Sequence, residues 1–164
     1  MYIQPMLPPL LPEDRIAAEC HCLPLRMLHR AVTAVYDDAL RPFDLRAAQM
    51  NVLVTVAKMG VHATPALVVK YLAIEKSTLS RDLERMEERG WLKSEARGAG
   101  RRLEMTAKGR RLLERVLPAW EAAQAETKKL LGSAAPAIDA AATRLRLTPG
   151  GNSARKQRAT ATDL

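Results

Sequence analysis

Hydrophobic residues recur at helical spacing along most of the chain, and the clearest stripe lies near its middle. Leu79, Leu83 and Met86 stand at positions i, i+4 and i+7, the spacing of a single buried face on a helix. At about 100° per residue, Ser77 and Arg81 fall on the opposite face. The pattern therefore predicts an amphipathic helix that exposes a hydroxyl and a guanidinium on its first turns.

An exposed face of this kind suits a helix that enters the major groove of DNA, where Ser, Thr and Arg side chains reach base edges. Thr78 and Arg85 flank the face. Glu84 and Glu88 follow toward the C-terminal end of the helix, where acidic side chains stay clear of the phosphates. An ordinary solvated helix face is the alternative interpretation of this stretch taken alone.

The residues just before this helix complete a helix-turn-helix pattern. Thr64 and Pro65 supply an N-cap and a first helical residue. The apolar side of the short helix that follows consists of Leu67, Val68, Tyr71 and Leu72. A turn through Ala73 and Ile74 then leads into the amphipathic helix. Two short helices joined by a tight turn are typical of a DNA-binding helix-turn-helix.

Two longer helices are predicted upstream. The first begins at Glu13, runs without interruption past the two cysteines, and ends before Pro42. Its apolar stripe consists of Leu25, Leu28, Val32, Val35 and Leu40. The second helix covers Leu45–Met59 and stops at Gly60. Its predicted buried side consists of Met50, Leu53, Val54 and Ala57.

A short β-hairpin is predicted after the amphipathic helix, which Gly90 ends. Its strands are Trp91–Lys93 and Arg102–Met105, and Glu95–Arg101 forms the turn between them. From about Ala107 to Leu131 a further long helix follows.

Positive charge is concentrated at this hairpin. Residues 97–111 include six basic side chains against one acid, Glu104. A basic hairpin directly after a helix-turn-helix is typical of a wing, which lays Arg along a phosphate backbone or into a minor groove. Arg97, Arg101 and Arg102 are therefore candidate DNA contacts, and a generic solvated hairpin is the alternative.

Composition and charge favour a helical protein with a polyanionic partner. The 164 residues are 48% hydrophobic and only 4% aromatic, with a net charge of +8 at pH 7. A basic balance favours nucleic acid first and an anionic membrane second. No apolar run approaches the roughly 18 residues that span a bilayer. The apolar start is broken by prolines and lacks a basic region, so we expect no signal peptide and a cytoplasmic protein.

The sequence has no constellation typical of an enzyme. It contains no Gly-rich phosphate loop, no HExxH motif and no nucleophile elbow. His21, His29 and His62 are scattered, and no Ser or Cys has an evident base. We therefore predict a non-enzymatic protein without a cofactor or a metal ion.

Cys20 and Cys22 are too few for a disulfide framework and suggest a reducing compartment. On a continuous helix their side chains would point about 200° apart, too far for a shared metal unless the helix starts later. Three interpretations stay open: small buried or interface cysteines, a thiol redox switch, or metal ligands. Arg26 is near enough in sequence to favour a reactive thiolate.

Arg26, His29, Arg30 and Tyr36 on the first long helix form a candidate effector pocket. An Arg or His there can pair with a ligand carboxylate. Solvated or interface polar residues are the alternative.

Several segments together resemble the MarR family of bacterial transcriptional regulators, over about residues 20–132. The chain reads LAIEKSTLSR from Leu72 and LERMEERGWL from Leu83, and MTAKGR from Met105 looks like the family's LTxxGR start to its dimer helix. The stretch from Cys20 to Pro42 is similar to a branch whose first helix opens with Cys-x-Cys.

The resemblance implies a mainly α fold with a small β-hairpin wing: a winged helix-turn-helix DNA-binding unit plus long dimerisation helices. It implies a homodimer that binds an inverted-repeat operator in double-stranded DNA, usually as a repressor. A small, frequently aromatic, anionic ligand or thiol oxidation would release it. The family's groove-reading positions match Ser77, Thr78, Ser80 and Arg81, and its wing Arg matches Arg101 or Arg102.

The chain would then divide into four parts. Residues 1–12 form an extended arm, and residues 13–132 form the MarR-type winged-helix domain with its dimerisation helices. Residues 133–147 form a weak, Ala-rich C-terminal helix, and residues 148–164 form a basic, disordered tail.

A winged-helix architectural or protein-interaction module, without specific operator reading, is the alternative function. Two observations favour it. The wing has no acid between Arg97 and Arg102, where the family carries an Asp that orients its wing Arg, and residues 133–147 have few large apolar side chains. A thiol or metal sensor acting through the same dimer differs only in its trigger.

Overall fold

A computed structural model of the protein describes residues 11–97 and 100–147, apart from the side chains of Arg97 and residues 145–147. These residues form seven α-helices and one two-stranded sheet: α1 (Pro12–Glu19), α2 (Cys22–Leu40), α3 (Ala47–Met59), α4 (Pro65–Leu72), α5 (Lys76–Glu88), β1 (Leu92–Arg97), β2 (Gly100–Met105), α6 (Ala107–Leu131) and α7 (Ala135–Leu147). The fold is thus mainly α with a β-hairpin, as predicted. Most of the predicted arm and all of the predicted tail lie outside the described residues.

The first predicted helix is in fact two helices, so the prediction of an uninterrupted helix was wrong. Between α1 and α2, Cys20 adopts an extended conformation with φ −73° and ψ 116°. Pro24 explains the break, because its ring clashes with a helical carbonyl four residues earlier and it has no N–H to donate there. As the third residue of α2, Pro24 lies in the first turn, where helix N–H groups have no helical partner.

Helix α3 begins two residues later than predicted, after a short 3-10 turn at Arg41–Phe43. The Asp37 carboxylate accepts a hydrogen bond of 2.7 Å from the backbone N–H of Ala47 at the start of α3. The predicted buried side was wrong in part, since Met50 and Leu53 are buried but Val54 is 43% exposed and Ala57 is also exposed. Because α3 contacts α2, α4 and β2, it is buried on several sides, and apolar character alone does not identify its one exposed face.

The helix-turn-helix forms as the sequence predicts. The Thr64 side chain accepts a hydrogen bond of 3.3 Å from the backbone N–H of Leu67 and caps α4. Ala73 makes the turn in the left-handed conformation, with φ 53°. The predicted stripe of α5 is buried in the core, namely Leu79, Leu83 and Met86.

The hairpin is longer than predicted, and the expected turn at Glu95–Arg101 was wrong. Residues Glu95 and Ala96 belong to β1, and Arg101 pairs with Ala96 across the sheet. Gly98 and Gly100 suggested a turn over this stretch, but the backbone pairing of the two strands continues through it as far as Arg97 opposite Gly100. The backbone N–H of Leu103 also bonds the Ala63 carbonyl at 2.9 Å, which ties β2 to the segment before α4.

The described residues form two compact units, which divide between Ala123 and Gln124. The core of the first unit consists of α3, α4, α5, the hairpin and the first turns of α6. The second unit contains the end of α6, a 3-10 turn at Gly132–Ala134, and α7. Within the described ranges, no helix is both long and apolar enough to cross a bilayer.

Candidate nucleic-acid interface

The first turns of α5 bring the predicted groove-reading residues together on one exposed surface. Their buried counterparts anchor the opposite side of the helix in the core. The exposed side chains are Ser77, Thr78, Ser80, Arg81 and Arg85. Neither guanidinium forms an ion pair with another described residue. The surface thus offers three hydroxyls and two free guanidinium groups, the groups that donate to base edges and phosphates.

The end of α5 is fixed by a glycine turn that sets the direction of the hairpin. Gly90 has φ 69°, a conformation that other residues adopt only with strain. The N–H of Trp91 bonds the Met86 carbonyl at 2.8 Å, and the N–H of Gly90 bonds the Glu87 carbonyl at 2.8 Å. This pair of bonds is a Schellman motif, completed by the contact of two buried apolar side chains, Met86 and Trp91.

The start of α6 is attached to the same turn. The Thr106 hydroxyl donates to the Gly90 carbonyl at 2.6 Å and accepts from the N–H of Gly109 at 3.1 Å. A Cβ atom on Gly109 would lie 2.3 Å from the Trp91 carbonyl oxygen, so only glycine allows this close approach. Residues 105–110, which were predicted to begin the helix, therefore connect the start of α6 to the end of α5 and to the base of the wing.

One face of the wing carries a ladder of paired charges. Lys93 bonds Glu95 at 3.0 Å and Glu104 at 3.3 Å, and Arg102 pairs with Glu104 at 3.4 Å. The hydrogen bonds that Lys93 donates to the carboxylates of Glu95 and Glu104 raise the pKa of Lys93 above its usual value. The Arg102 side chain is only 23% exposed. Arg102 is therefore largely committed to contacts within the hairpin.

Arg101 lies on the other face of the hairpin and contacts α5. Its Nη2 atom lies 2.8 Å and 2.7 Å from the two carboxylate oxygens of Glu87. The Ser94 hydroxyl, from β1, also donates to Glu87. The Arg101 side chain remains 49% exposed. Sequence reasoning missed Glu87, since the only hint of its role was the lack of an acid between Arg97 and Arg102.

The remaining predicted residues lie apart from this surface. Arg26, His29 and Arg30 are exposed on α2, whereas Tyr36 is partly buried against the core. Cys22 is exposed and Cys20 half-buried. Because the helix breaks at Cys20, the expected 200° separation of the two thiols does not apply. No group of three potential metal ligands occurs in the described part of the chain.

A cleft of about 460 Å³ lies beside the C-terminal half of α5. Its lining residues are Asp37, Arg41, Asp44, Leu45, Arg46, Gln49, Arg85 and Arg89. Arg89 is held in place, 2.5 Å from the Asp44 carboxylate and with its guanidinium 4.9 Å from the centre of the Trp91 ring. This cleft was not predicted from the sequence, because two stretches far apart in the chain, residues 37–49 and 85–89, assemble it.

Comparison with known proteins identifies the family. The MarR family model matches residues 43–103. The chain is also similar to the transcriptional regulator MosR of M. tuberculosis, with 32% identity and a TM-score of 0.69, over 84% of this chain and 97% of MosR. The chain belongs to the MarR family. It is a winged-helix DNA-binding transcription regulator, as the sequence predicted.

Two further structures of MarR-family proteins resemble this one. BpsR of Bordetella bronchiseptica, whose DNA binding is regulated by 6-hydroxynicotinic acid, is 25% identical over 77% of this chain and 93% of its own, with a TM-score of 0.66. A MarR variant from E. coli in complex with operator DNA has the same fold, with 20% identity over 80% and 96% of the two chains and a TM-score of 0.69. Comparison with curated proteins gave no match. The Cys-x-Cys branch remains a prediction.

Proposed function

We propose that this MarR-family regulator is a homodimer that binds an inverted-repeat operator in double-stranded DNA and acts as a repressor. The exposed surface of α5 carries the proposal. On its first turns lie Ser77, Thr78, Ser80 and Arg81, with no acidic partner among the described residues, while a buried stripe holds the opposite side of the helix in the core. Side chains of these types supply base readout when a recognition helix enters the major groove.

Phosphate contacts would add affinity without sequence preference. Arg85 on the flank of α5 and Arg101 on the wing are exposed guanidinium groups suited to the backbone. Arg97 and Arg102 are weaker candidates, Arg102 because it is engaged with Glu104 and Arg97 because its side chain lies outside the described residues. A structure of MosR, a protein 31% identical to this chain, contains DNA, which supports DNA binding here.

Selection from a pool of random DNA duplexes tests this function. We expect the native protein to enrich an inverted repeat and to bind it with two protomers per duplex. Fluorescence anisotropy at several salt concentrations would then compare the enriched duplex with a scrambled one of equal length. Equal, steeply salt-dependent binding to both would instead support the architectural function. A reporter gene downstream of the enriched repeat distinguishes repression from activation.

Release by a small aromatic anion is part of the proposal, and the cleft beside α5 is its best candidate site. Arg46 and Arg85 line the cleft without an ion-pair partner among the described residues. A carboxylate bound between them would draw Arg85 away from DNA, because one guanidinium cannot serve both anions fully. BpsR, which responds to 6-hydroxynicotinic acid, supports this ligand class. The exposed Arg26, His29 and Arg30, together with Tyr36, form the other candidate pocket.

The two candidate pockets can be separated with one probe. We expect 6-hydroxynicotinic acid to weaken DNA binding by the native protein. The response should be lost in Arg46→Gln and kept in Arg26→Gln, which removes the same charge from α2. The opposite result would place the effector on α2 instead.

Thiol oxidation is a second possible trigger. Cys22 is exposed, and Cys20 lies in the extended break rather than in a helix, so the two thiols are not held on opposite faces. Hydrogen peroxide would oxidise the two thiols to one disulfide by taking up two protons and two electrons from them, and it would itself be reduced to two molecules of water. Mass spectrometry of the oxidised protein should show a loss of two hydrogens between Cys20 and Cys22, together with weaker DNA binding. Unchanged binding after oxidation would remove this trigger.

A further inference from the structure

We propose that Glu87 is the positioning residue of the wing: it orients Arg101 toward DNA and couples the hairpin to the recognition helix. This inference rests on the proposed function of α5. As noted in the sequence comparison with the MarR family, the family's wing carries an Asp that orients the wing Arg. Here the wing has no such acid, and the carboxylate comes from α5, on the other side of the contact.

The geometry of the contact allows Glu87 to orient the Arg101 guanidinium without occupying all of its hydrogen-bond donors. Both carboxylate oxygens of Glu87 meet a single atom of Arg101, Nη2, at 2.8 Å and 2.7 Å. A fork-shaped contact would occupy two guanidinium nitrogens, whereas this one leaves Nη1 and Nε for another acceptor. The Arg101 side chain is 49% exposed, so a phosphate can approach it.

Glu87 itself is fixed at three points. Its backbone carbonyl accepts from the N–H of Gly90 in the turn that ends α5. Its carboxylate accepts from Ser94 on β1 and from Arg101 on β2. One residue of the recognition helix therefore holds both strands of the wing. We infer that the groove-reading face of α5 and the wing Arg approach DNA in one fixed relative orientation.

Arg102 does not compete for this role. It lies on the opposite face of the hairpin, is 23% exposed, and pairs with Glu104 in the charge ladder. Of the two adjacent arginines, Arg101 is therefore the wing Arg. The carboxylate of Glu87 repels phosphate only weakly, because its charge is offset by the paired Arg101.

Glu87→Gln tests the inference, and Glu88→Gln is the matched control. Glu88 is the next residue, is exposed, and forms no ion pair with another described residue. Both variants remove one negative charge from the same helix end. In the DNA-free protein, we expect amide hydrogen exchange at residues 92–105 to accelerate severalfold in Glu87→Gln and to stay unchanged in Glu88→Gln. This measurement does not depend on DNA binding, so it tests the contact even if the proposed function fails.

The DNA measurement uses the duplex enriched by the native protein and a scrambled duplex. Glu88→Gln should bind both duplexes slightly more tightly, because the loss of one carboxylate makes the net charge of the protein more positive by one. Glu87→Gln should instead lose roughly fivefold in affinity for the enriched duplex, the scale of one partly exposed ion pair. Glu87→Gln combined with Arg101→Ala should be no weaker than Arg101→Ala alone, since both changes remove the same interaction.

Three results would overturn the proposal. The first is hydrogen exchange in the hairpin that is identical in the two Gln variants. The second is a loss of binding free energy in Glu87→Gln combined with Arg101→Ala that equals the sum of the losses in the two single variants. The third is tighter binding and a steeper salt dependence in Glu87→Gln than in Glu88→Gln, which would mean that Glu87 merely sequesters Arg101 from DNA.

Discussion

Arg81 is the residue at which base readout is most directly testable. It lies on the exposed first turns of α5 and forms no ion pair with a described residue, so its removal should not disturb the fold. We predict that Arg81→Ala weakens binding to the enriched duplex by about 1–3 kcal/mol, the scale of one good base contact. Affinity for scrambled DNA should fall much less. Competition between the two duplexes measures the difference.

Arg115→Ala is the control for Arg81→Ala, because it removes the same charge from an exposed position on α6. If both variants lose the same small amount on both duplexes, Arg81 contributes only charge and does not read bases.

Gly109 lies where the end of α5, the base of the wing and the start of α6 meet, and its substitution tests how tightly this junction is packed. Glycine to alanine on a helix normally stabilises by about 0.5–1 kcal/mol. At Gly109 the added Cβ would lie 2.3 Å from the Trp91 carbonyl oxygen, which is backbone and cannot simply rotate away. We therefore predict that Gly109→Ala lowers the free energy of unfolding by about 1–3 kcal/mol. Urea denaturation gives the sign, and a stabilised variant would show that α6 shifts at no cost.

At the level of single residues, sequence predicts positions set by local periodicity and misses those set by distant partners. Leu79, Leu83 and Met86 were identified correctly because helix geometry alone fixes their spacing. Glu87 was overlooked because its partners, Ser94 and Arg101, reach it only after the chain reverses at Gly90. No spacing rule within the helix distinguishes Glu87 from Glu88.

At the level of elements, the errors trace to identifiable residues. The break at Cys20 follows from Pro24, a signal that was present in the sequence and was outweighed by the apolar stripe. The two glycines at positions 98 and 100 favoured a turn, but the backbone pairing of the strands continues past Glu95, opposite Arg102, to Arg97, opposite Gly100. The Arg-lined cleft was beyond prediction, since it needs the relative placement of α2, α3 and α5.

The two adjacent arginines of the wing can be distinguished by their contributions to DNA binding. Arg101→Ala should reduce affinity for all duplexes alike and flatten the dependence of log K on log salt by about one unit, the effect of one lost phosphate contact. Arg102→Ala should change the slope much less, because its guanidinium is largely covered and paired with Glu104. Anisotropy titrations from low to moderate salt measure both slopes. Equal slopes in the two variants would contradict the assignment of Arg101.

The whole molecule leaves apolar surface that one chain does not cover. Along the stripe of α2, Leu40 is fully buried, Leu28, Val32 and Val35 are half-buried, and Leu25 is 63% exposed. Burial thus declines steadily toward the N-terminal end of the helix, although the apolar pattern does not. In α1, Ile16 is exposed as well. A second copy of the chain would cover this surface, as the proposed homodimer requires.

Leu25→Glu tests that dimer, with Ala57→Glu as the control that adds the same charge at an exposed position of α3. We predict that sedimentation velocity shows a monomer for Leu25→Glu at concentrations where the native protein and Ala57→Glu are dimers. Burying a carboxylate in an apolar interface is costly without a partner, whereas an exposed one costs little. Circular dichroism should show equal helix content in all three proteins.

The same variant connects assembly to operator reading. A dimer places two recognition helices on half-sites about one DNA turn apart, and binding of the first raises the effective concentration of the second. Leu25→Glu should therefore lose at least tenfold in affinity for the full inverted repeat while binding a single half-site as the native protein does. Equal loss on both duplexes would mean that Leu25→Glu damages the DNA-binding unit itself. A dimeric Leu25→Glu protein would exclude the exposed end of α2 from the interface.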